Sequence, residues 1–267
     1  MKIKVSVMGA SGRMGRGIIH LLSLDDGISI VGAKETSGHP SLGMDAGVVA
    51  GAGEIGVPIT SDIEDSSSGA NVIVDFTSPE STLRNADYAS RNSKSMVIGT
   101  TGFKDKEETK LKEVCRSFPC VIAPNMSIGV NVMFEATRFL ARALGDEYDI
   151  EIIEAHHKHK IDSPSGTALR LGESAAEGLG RDFNLVAKFE RHGSIGERKE
   201  GEIGIQSVRG GDVVGEHTVM FLGQGERIEL THRAYSRDNF AKGVLRAVKW
   251  IYGKSPGIYT MKDVLEL

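Results

Sequence analysis

The chain has 267 residues, 40% of them hydrophobic and 25% charged, and 32 Lys+Arg against 36 Asp+Glu give a formal charge of −4. That length suits two compact domains of about 100–200 residues each. The balance excludes a disordered, collagenous or coiled-coil chain, and it excludes a whole-molecule cationic field for nucleic acid.

The 33 glycines mean either flexible linkers or many tight turns beside ligands. Cys115 and Cys120 are too few for a disulfide framework and lack a CxxC spacing, so both read as reduced thiols near a buried strand. No apolar run reaches the roughly eighteen residues of a membrane span. The opening segment meets Gly9 too early for a secretory core. A cytoplasmic protein without a membrane partner is expected.

In chain order, Ile3 to Met8 reads as a strand, Met14 to Leu24 as a helix and Ile28 to Ala33 as a second strand. Thr36 to Gly56 is rich in small residues and reads as an exposed loop with a short helix. Val72 to Phe76 and Met96 to Gly99 are short apolar runs suited to strands covered on both faces. Pro79 to Ser90 and Lys104 to Arg116 read as helices, and Cys120 to Ala123 as another strand. This alternation predicts βαβ units on a parallel, doubly wound sheet.

After Pro124 the pattern changes. Val130 to Leu144 reads as a long amphipathic helix, Asp149 to Ala155 as a strand and Leu169 to Leu179 as a helix. From Glu202 to His232 the helices vanish. Val213-Val214, Val219 to Leu222 and Arg227 to Leu230, separated by Gly210-Gly211-Asp212 and Gly223-Gln224-Gly225, read as antiparallel strands. A last helix is expected over Phe240 to Tyr252. The second half is therefore a mixed α+β unit.

Gly9-Ala10-Ser11-Gly12-Arg13-Met14-Gly15 follows the first strand and opens the first helix. Glycines there permit a tight turn and close approach of a pyrophosphate to a helix N-terminus. The GxxGxxG spacing is looser than GxGxxG, but Glu35 lies at the separation of a ribose-binding acid. Dinucleotide binding is expected. A carboxylate followed by Thr36 instead of arginine favours NADH, with NADPH tolerated through Lys34 or Arg13. Phe76 to Glu80 and Gly99 to Phe103 end strands where a cofactor crevice would open, although capped strand-to-helix turns would look the same.

Glu154-Ala155-His156-His157-Lys158-His159-Lys160 is the densest cationic stretch. Zinc would require further ligands, and neither cysteine nor an HExxH helix is near, so no metal is expected. The stretch leads into Ser163-Pro164-Ser165-Gly166-Thr167-Ala168 at a helix start, where backbone N–H groups suit a carboxylate. Cations beside such a start suit a small, multiply anionic substrate, and histidine can shuttle protons near neutral pH.

The stretches GASGRMG, FTSPE, GTTGF, APNMSIGVN, EAHHKHKIDSPSGTA, VRGGDVVGEHTVMF and THRAYSRDNFAKG together closely resemble the dihydrodipicolinate reductase family of bacterial diaminopimelate and lysine synthesis. They span nearly the whole chain in the family's order. The resemblance implies a Rossmann-type doubly wound domain over residues 1–126 and 238–267. It implies a substrate-binding and tetramerisation domain with a mixed sheet over 127–237. His156 would be the catalytic acid or base and Lys160 the proton donor; His157, Gly166 and Thr167 would hold the substrate carboxylates. Gly9, Ala10, Ser11, Gly12, Arg13, Met14, Glu35, Gly99, Thr100, Thr101, Ala123, Pro124, Asn125 and Met126 would bind NADH or NADPH.

The family pattern also implies a homotetramer, and Arg237 and Phe240 near the cleft between domains. Hinges are expected near Pro124 to Gly129 and Tyr235 to Asn239. Thr36 stands where some members carry arginine, and Tyr235 and Asp238 take no assigned role. The implied reaction adds hydride to ring carbon four of a cyclic dicarboxylate imine, with proton delivery by His156 and Lys160. A dehydrogenase acting on an aspartate-derived aldehyde would be expected to offer a cysteine nucleophile, and neither Cys115 nor Cys120 lies in such a setting. A dinucleotide sensor without turnover would need only the cofactor half.

Overall fold

The computed structural model describes residues 2–236 and 238–267; Arg237 lies outside the described residues. In chain order the elements are β1 Ile3–Met8, α1 Arg13–Ser23, β2 Ile28–Lys34, α2 Ala46–Ala50, β3 Ile59–Thr60, α3 Ile63–Ser67, β4 Val72–Asp75, α4 Pro79–Arg91, β5 Ser95–Ile98, α5 Asp105–Cys115, β6 Pro119–Ile122 and α6 Ile128–Leu144. There follow β7 Asp149–His156, α7 Gly166–Leu179, α8 Phe183–Val186, β8 Ala187–Lys188, β9 Ile203–Arg209, β10 Gly215–Leu222 and β11 Arg227–Ala234. The chain ends with α9 Asp238–Ile251, β12 Gly257–Tyr259 and α10 Met261–Leu265. It divides into two compact units, Met1–Ile128 with Arg237–Leu267, and Gly129–Ser236.

The first unit is a seven-stranded sheet in the order β12-β6-β5-β4-β1-β2-β3, parallel throughout. Strands β4 and β5 are buried along their whole length, as helices on both faces require. The strand order reverses between β1 and β4, and ligands of such sheets bind outside the carboxyl ends at that point. One core forms where α1 and α9 pack through Ile18, Ile19, Leu22, Val244 and Val248; a second forms on the other face through Met8, Ile73, Leu111 and Phe118. Cys115 and Cys120 are both buried and unbridged.

The second unit is a five-stranded mixed sheet, β11-β10-β7-β9-β8. Helices α6 and α7 cover one face through Met133, Ala141, Leu171 and Ala175, packed on Ile150, Ile152, Ile205 and Phe221. The mixed sheet is the one that the resemblance implies, and the antiparallel reading holds for β10 and β11. Strand β9 runs parallel to β7 and to β8, and the antiparallel pairs are β10 with β7 and β10 with β11.

Gly210-Gly211-Asp212 therefore does not close a hairpin, because β9 and β10 flank β7 from opposite sides. Val213-Val214 is irregular, and the strand begins at Gly215. Only Gly223 to Glu226 makes a hairpin turn, with the Gly223 N–H donating to the Glu226 carbonyl at 3.0 Å. Helix α7 starts at Gly166, three residues before the expected Leu169, because the Ser165 hydroxyl caps it by accepting from the Ala168 N–H. The short elements β3, α3, β12 and α10 carry too few residues to show a period.

Candidate active site

Within the first unit, the glycine turn sits between β1 and α1. Gly9 adopts φ +73°, a left-handed conformation that glycine takes without strain. A Cβ at Gly15 would collide with the Gly9 carbonyl oxygen, so that glycine lets the helix press against the turn. Gly12 caps α1 without a side-chain hydrogen bond, and the Ser11 hydroxyl is buried with no partner among the described residues. The Glu35 carboxylate accepts from the Ser11 N–H at 2.9 Å and from the Thr36 N–H at 3.1 Å. A helix start without its own side-chain cap, an orphaned hydroxyl and a facing carboxylate fit a dinucleotide.

Thr100 and Thr101 follow β5, and Ala123 to Met126 follow β6, at the same end of the sheet. Packing constrains two of these positions. A Cβ at Gly99 would collide with the Phe76 ring, so a glycine is required there. Met126 buries its side chain in the core, where only its backbone is left to meet a ligand, and a Cβ on Gly243 of α9 would collide with its carbonyl. Arg13 and Thr101 are exposed, while Thr100 is buried. Phe240 lies in the first turn of α9.

Beside these turns lies a carboxylate that sequence reasoning passed over. Asp75, at the end of β4, is fully buried. It accepts from the Thr77 N–H and hydroxyl at 3.0 and 2.6 Å, from the Thr82 and Thr100 hydroxyls at 3.1 and 3.2 Å, and from the Asn85 amide at 2.7 Å. The turn after β4 is thereby tied to the turn after β5.

In the second unit, His156 ends β7, and strand alternation puts Glu154 on the same face. The register sets Glu154 opposite His217 of β10 and Ser207 of β9, and His156 opposite Arg209. Glu154 has no solvent exposure. It meets His156 Nδ1 at 2.6 Å, accepts both guanidinium nitrogens of Arg209 at 2.7 and 2.8 Å, and accepts the Ser165 N–H at 3.1 Å. Burial opposes its charge, yet Arg209, His156, Ser207 and Ser165 prevail and hold the carboxyl at about 2. Glu154 is therefore ionised and only accepts, so His156 carries its proton on Nδ1 and presents a lone pair at Nε2.

Burial keeps the His156 pKa below its ordinary value against the pull of Glu154, and the charges of Lys160 and Arg209 lower it further. His217 packs edge-on to His156 at 5.2 Å between ring centroids and meets the Ser165 hydroxyl at 3.1 Å. Burial foremost, then the neighbouring His156, pushes the His217 pKa down to about 3. Lys160 pairs with Asp162 at 2.7 Å, and that hydrogen bond holds the Asp162 carboxyl low.

His157 buries Nδ1 without a partner among the described residues, and its ring faces His159 at 6.2 Å. His156, His157 and His159 do not converge: the first turns to Glu154 and His217, the other two to one another. Gly166 and Thr167 form the first turn of α7, and a Cβ at Gly166 would point into open space. A neutral imidazole, an ammonium and a helix start can hold an anion and exchange protons with it. Arg209 and His217 were visible in sequence only within VRGGDVVGEHTVMF, where nothing distinguishes them from strand residues.

The family model described as dihydrodipicolinate reductase, N-terminus, matches residues 3–126, and the C-terminus model matches 129–265. The chain is 53% identical over 265 residues to a 4-hydroxy-tetrahydrodipicolinate reductase of Trichlorobacter lovleyi, covering 99% of both chains. It is 51% identical over 264 residues to the enzyme of that name from Geobacter sulfurreducens, again covering 99% of both. A dipicolinate-bound dihydrodipicolinate reductase from Paenisporosarcina sp. TG-14 superimposes with a TM-score of 0.77 at 24% identity, covering 97% of this chain and 98% of the other. An amine dehydrogenase from Mycobacterium smegmatis shares the fold at 14% identity, with a TM-score of 0.59 over 98% and 95% of the two chains.

Proposed function

The chain belongs to the dihydrodipicolinate reductase family, and from that premise we propose how its residues divide the work. It is a pyridine-nucleotide-dependent oxidoreductase that reduces the cyclic dicarboxylate imine of lysine and diaminopimelate synthesis to tetrahydrodipicolinate. Gly9 to Met14, Glu35, Thr100, Thr101 and the backbone from Ala123 to Met126 hold the dinucleotide, with the pyrophosphate at the start of α1. When bound, the nicotinamide supplies the hydride.

The first turn of α7, at Gly166 and Thr167, and His157 hold the two substrate carboxylates. Lys160 Nζ delivers the proton that the reduced ring takes up, because it is the cation of the pair. His156, neutral and with Nδ1–H committed to Glu154, accepts at Nε2 a proton from solvent that restores the Lys160 ammonium once it has protonated the ring. One observation carries this reading: Glu154 holds both the half-buried His156 ring and the Ser165 N–H directly before α7, so the histidine and the start of that helix, with open space at Gly166, belong to one site.

NADH is the preferred cofactor, since Glu35 is followed by Thr36. The uncovered face of the second sheet, where Ile153 and Val208 are exposed, supports a homotetramer built through that sheet. Two buried free thiols accord with a cytoplasmic setting.

The test is oxidation of NADH and NADPH in the presence of the fresh condensation product of pyruvate and aspartate semialdehyde. Turnover with both, faster with NADH, is expected. Folded protein that oxidises neither would end the proposal. In Thr36→Arg the ratio of kcat/KM values should move toward NADPH by about tenfold, one charge-assisted contact. An unmoved ratio would remove Thr36 as the selector.

A further inference from the structure

Glu154 and Arg209 take part in neither hydride nor proton transfer in the reading above, yet they form a multiply hydrogen-bonded ion pair around a buried carboxylate, beside His156. Glu154 lies two residues before His156 on one face of β7, so its distance from the ring is set by the strand repeat. Arg209 reaches the same carboxylate from β9 through two parallel N–H donors, a geometry that fixes direction as well as distance. The Arg209 guanidinium also donates to the Asp162 carbonyl at 2.8 Å, in the loop that carries Lys160. Ser165, directly before α7, gives its backbone N–H to Glu154 and sets its hydroxyl against His217. One anion therefore touches the strand with the base, the start of the carboxylate-holding helix and the arginine that braces the lysine loop.

We infer that Glu154, braced by Arg209, is a positioning residue that fixes the Nδ1–H tautomer of His156 and so aims the Nε2 lone pair into the site. The inference rests on the reading of His156 as the proton acceptor. A histidine without such a partner would divide between two tautomers, and one of them presents N–H where a base is needed. The Arg209 bridge keeps the carboxylate ionised and in place. The groups facing His156 are Glu154 on its own strand, Arg209 on β9, His217 on β10, and Lys160 with Asp162 on the following loop. Of these, Glu154 favours the imidazolium, and Lys160 and Arg209 oppose it.

The experiment compares the full-length wild-type enzyme with Glu154→Gln, Glu154→Asp and His156→Gln. In Glu154→Gln, kcat should fall about 10- to 100-fold, as when a hydrogen-bonded supporter of a functional histidine is removed. NADH affinity, measured by nicotinamide fluorescence, should stay unchanged. The acidic limb of the kcat/KM profile should move to lower pH, because the anion that favours the imidazolium is gone. Glu154→Asp should return that limb toward the wild-type position.

An unmoved limb and an unchanged kcat in Glu154→Gln, with His156→Gln inactive, would overturn the inference and leave the reading of His156 standing. Wild-type turnover in His156→Gln would instead overturn that reading. If Glu154→Gln does not fold, the ¹⁵N shifts of His156 in the wild-type enzyme decide: a protonated Nδ1 supports the inference and a protonated Nε2 overturns it.

Discussion

Asp75 near the end of the parallel sheet and Glu154 near the end of β7 are both carboxylates without solvent exposure, but their surroundings differ in kind. The hydrogen-bond donors to Asp75 are backbone, hydroxyl and amide groups, all neutral. Those of Glu154 include a guanidinium and an imidazole. An anion held by neutral dipoles organises backbone: Asp75 pins two turns that must stay in place. An anion held by ionisable partners controls protons, and around Glu154 the pKa values of His156, His217 and Asp162 are all displaced. Buried carboxylates thus mark different kinds of site according to the charge of what surrounds them.

The widest consequence is in acid. His217 binds its proton in the unfolded chain near 6.5 but in the folded chain only at about 3, so stability is lost as pH falls between those values. His156 and His232, both lowered mainly by burial, act with the same sign. Glu154 adds a stabilisation that is complete above its ordinary 4.5 and disappears as pH falls to about 2. In the first unit the lowered carboxyls are Asp25, hydrogen-bonded to Lys249, and Asp45, which overcomes desolvation through backbone N–H groups; their ordinary value is 3.8. Hydrogen exchange near pH 5 should therefore show β7, β10 and β11 losing protection before β1, β4 and β5. Loss in the reverse order would contradict the contrast between the units.

Arg209→Ala strands the Glu154 anion and should cost about 3 kcal/mol of stability in the second unit, read from its chemical-denaturation midpoint. Asp75→Asn leaves no cation stranded, so it should cost only about 1 kcal/mol in the first unit. Equal costs would mean that charge is not what separates the two sites. The smallest effect is expected for Arg84→Ala. Its ion pair with Glu80 is 2.6 Å long, as short as the Arg209–Glu154 contact of 2.7 Å, but its side chains are 64% and 83% exposed against 21% and 0%. The change should be below about 0.5 kcal/mol. A larger loss would show that distance outweighs burial.

Legibility in the sequence followed the range of the interaction. The strands and helices of the first unit appear in their expected order because each repeats its apolar positions within a few residues. Gly9 and Glu35 could be read for the same reason, as a turn and an acid at a fixed separation within one βαβ unit. The second unit was misread where topology departs from succession. A glycine-rich turn after β9 looked like a hairpin, but the chain crosses β7 before pairing again. One packing demand at Gly99 was also invisible: its missing Cβ accommodates Phe76 from a neighbouring strand end, a contact that no local window contains.

The sequence by itself determined the alternating α/β half, the glycine turn after the first strand, and the histidine, lysine and Ser-Gly-Thr segments, since period and spacing along the chain specify them. Tertiary structure alone decided what surrounds His156. Arg209 lies 55 residues from Glu154, and His217 lies 52 from Ser165. They meet because β7 is the middle strand between β9 and β10. Strand order is set by which faces bury together, and the spacing of 33 glycines could reveal where the backbone turns but not which strands lie side by side.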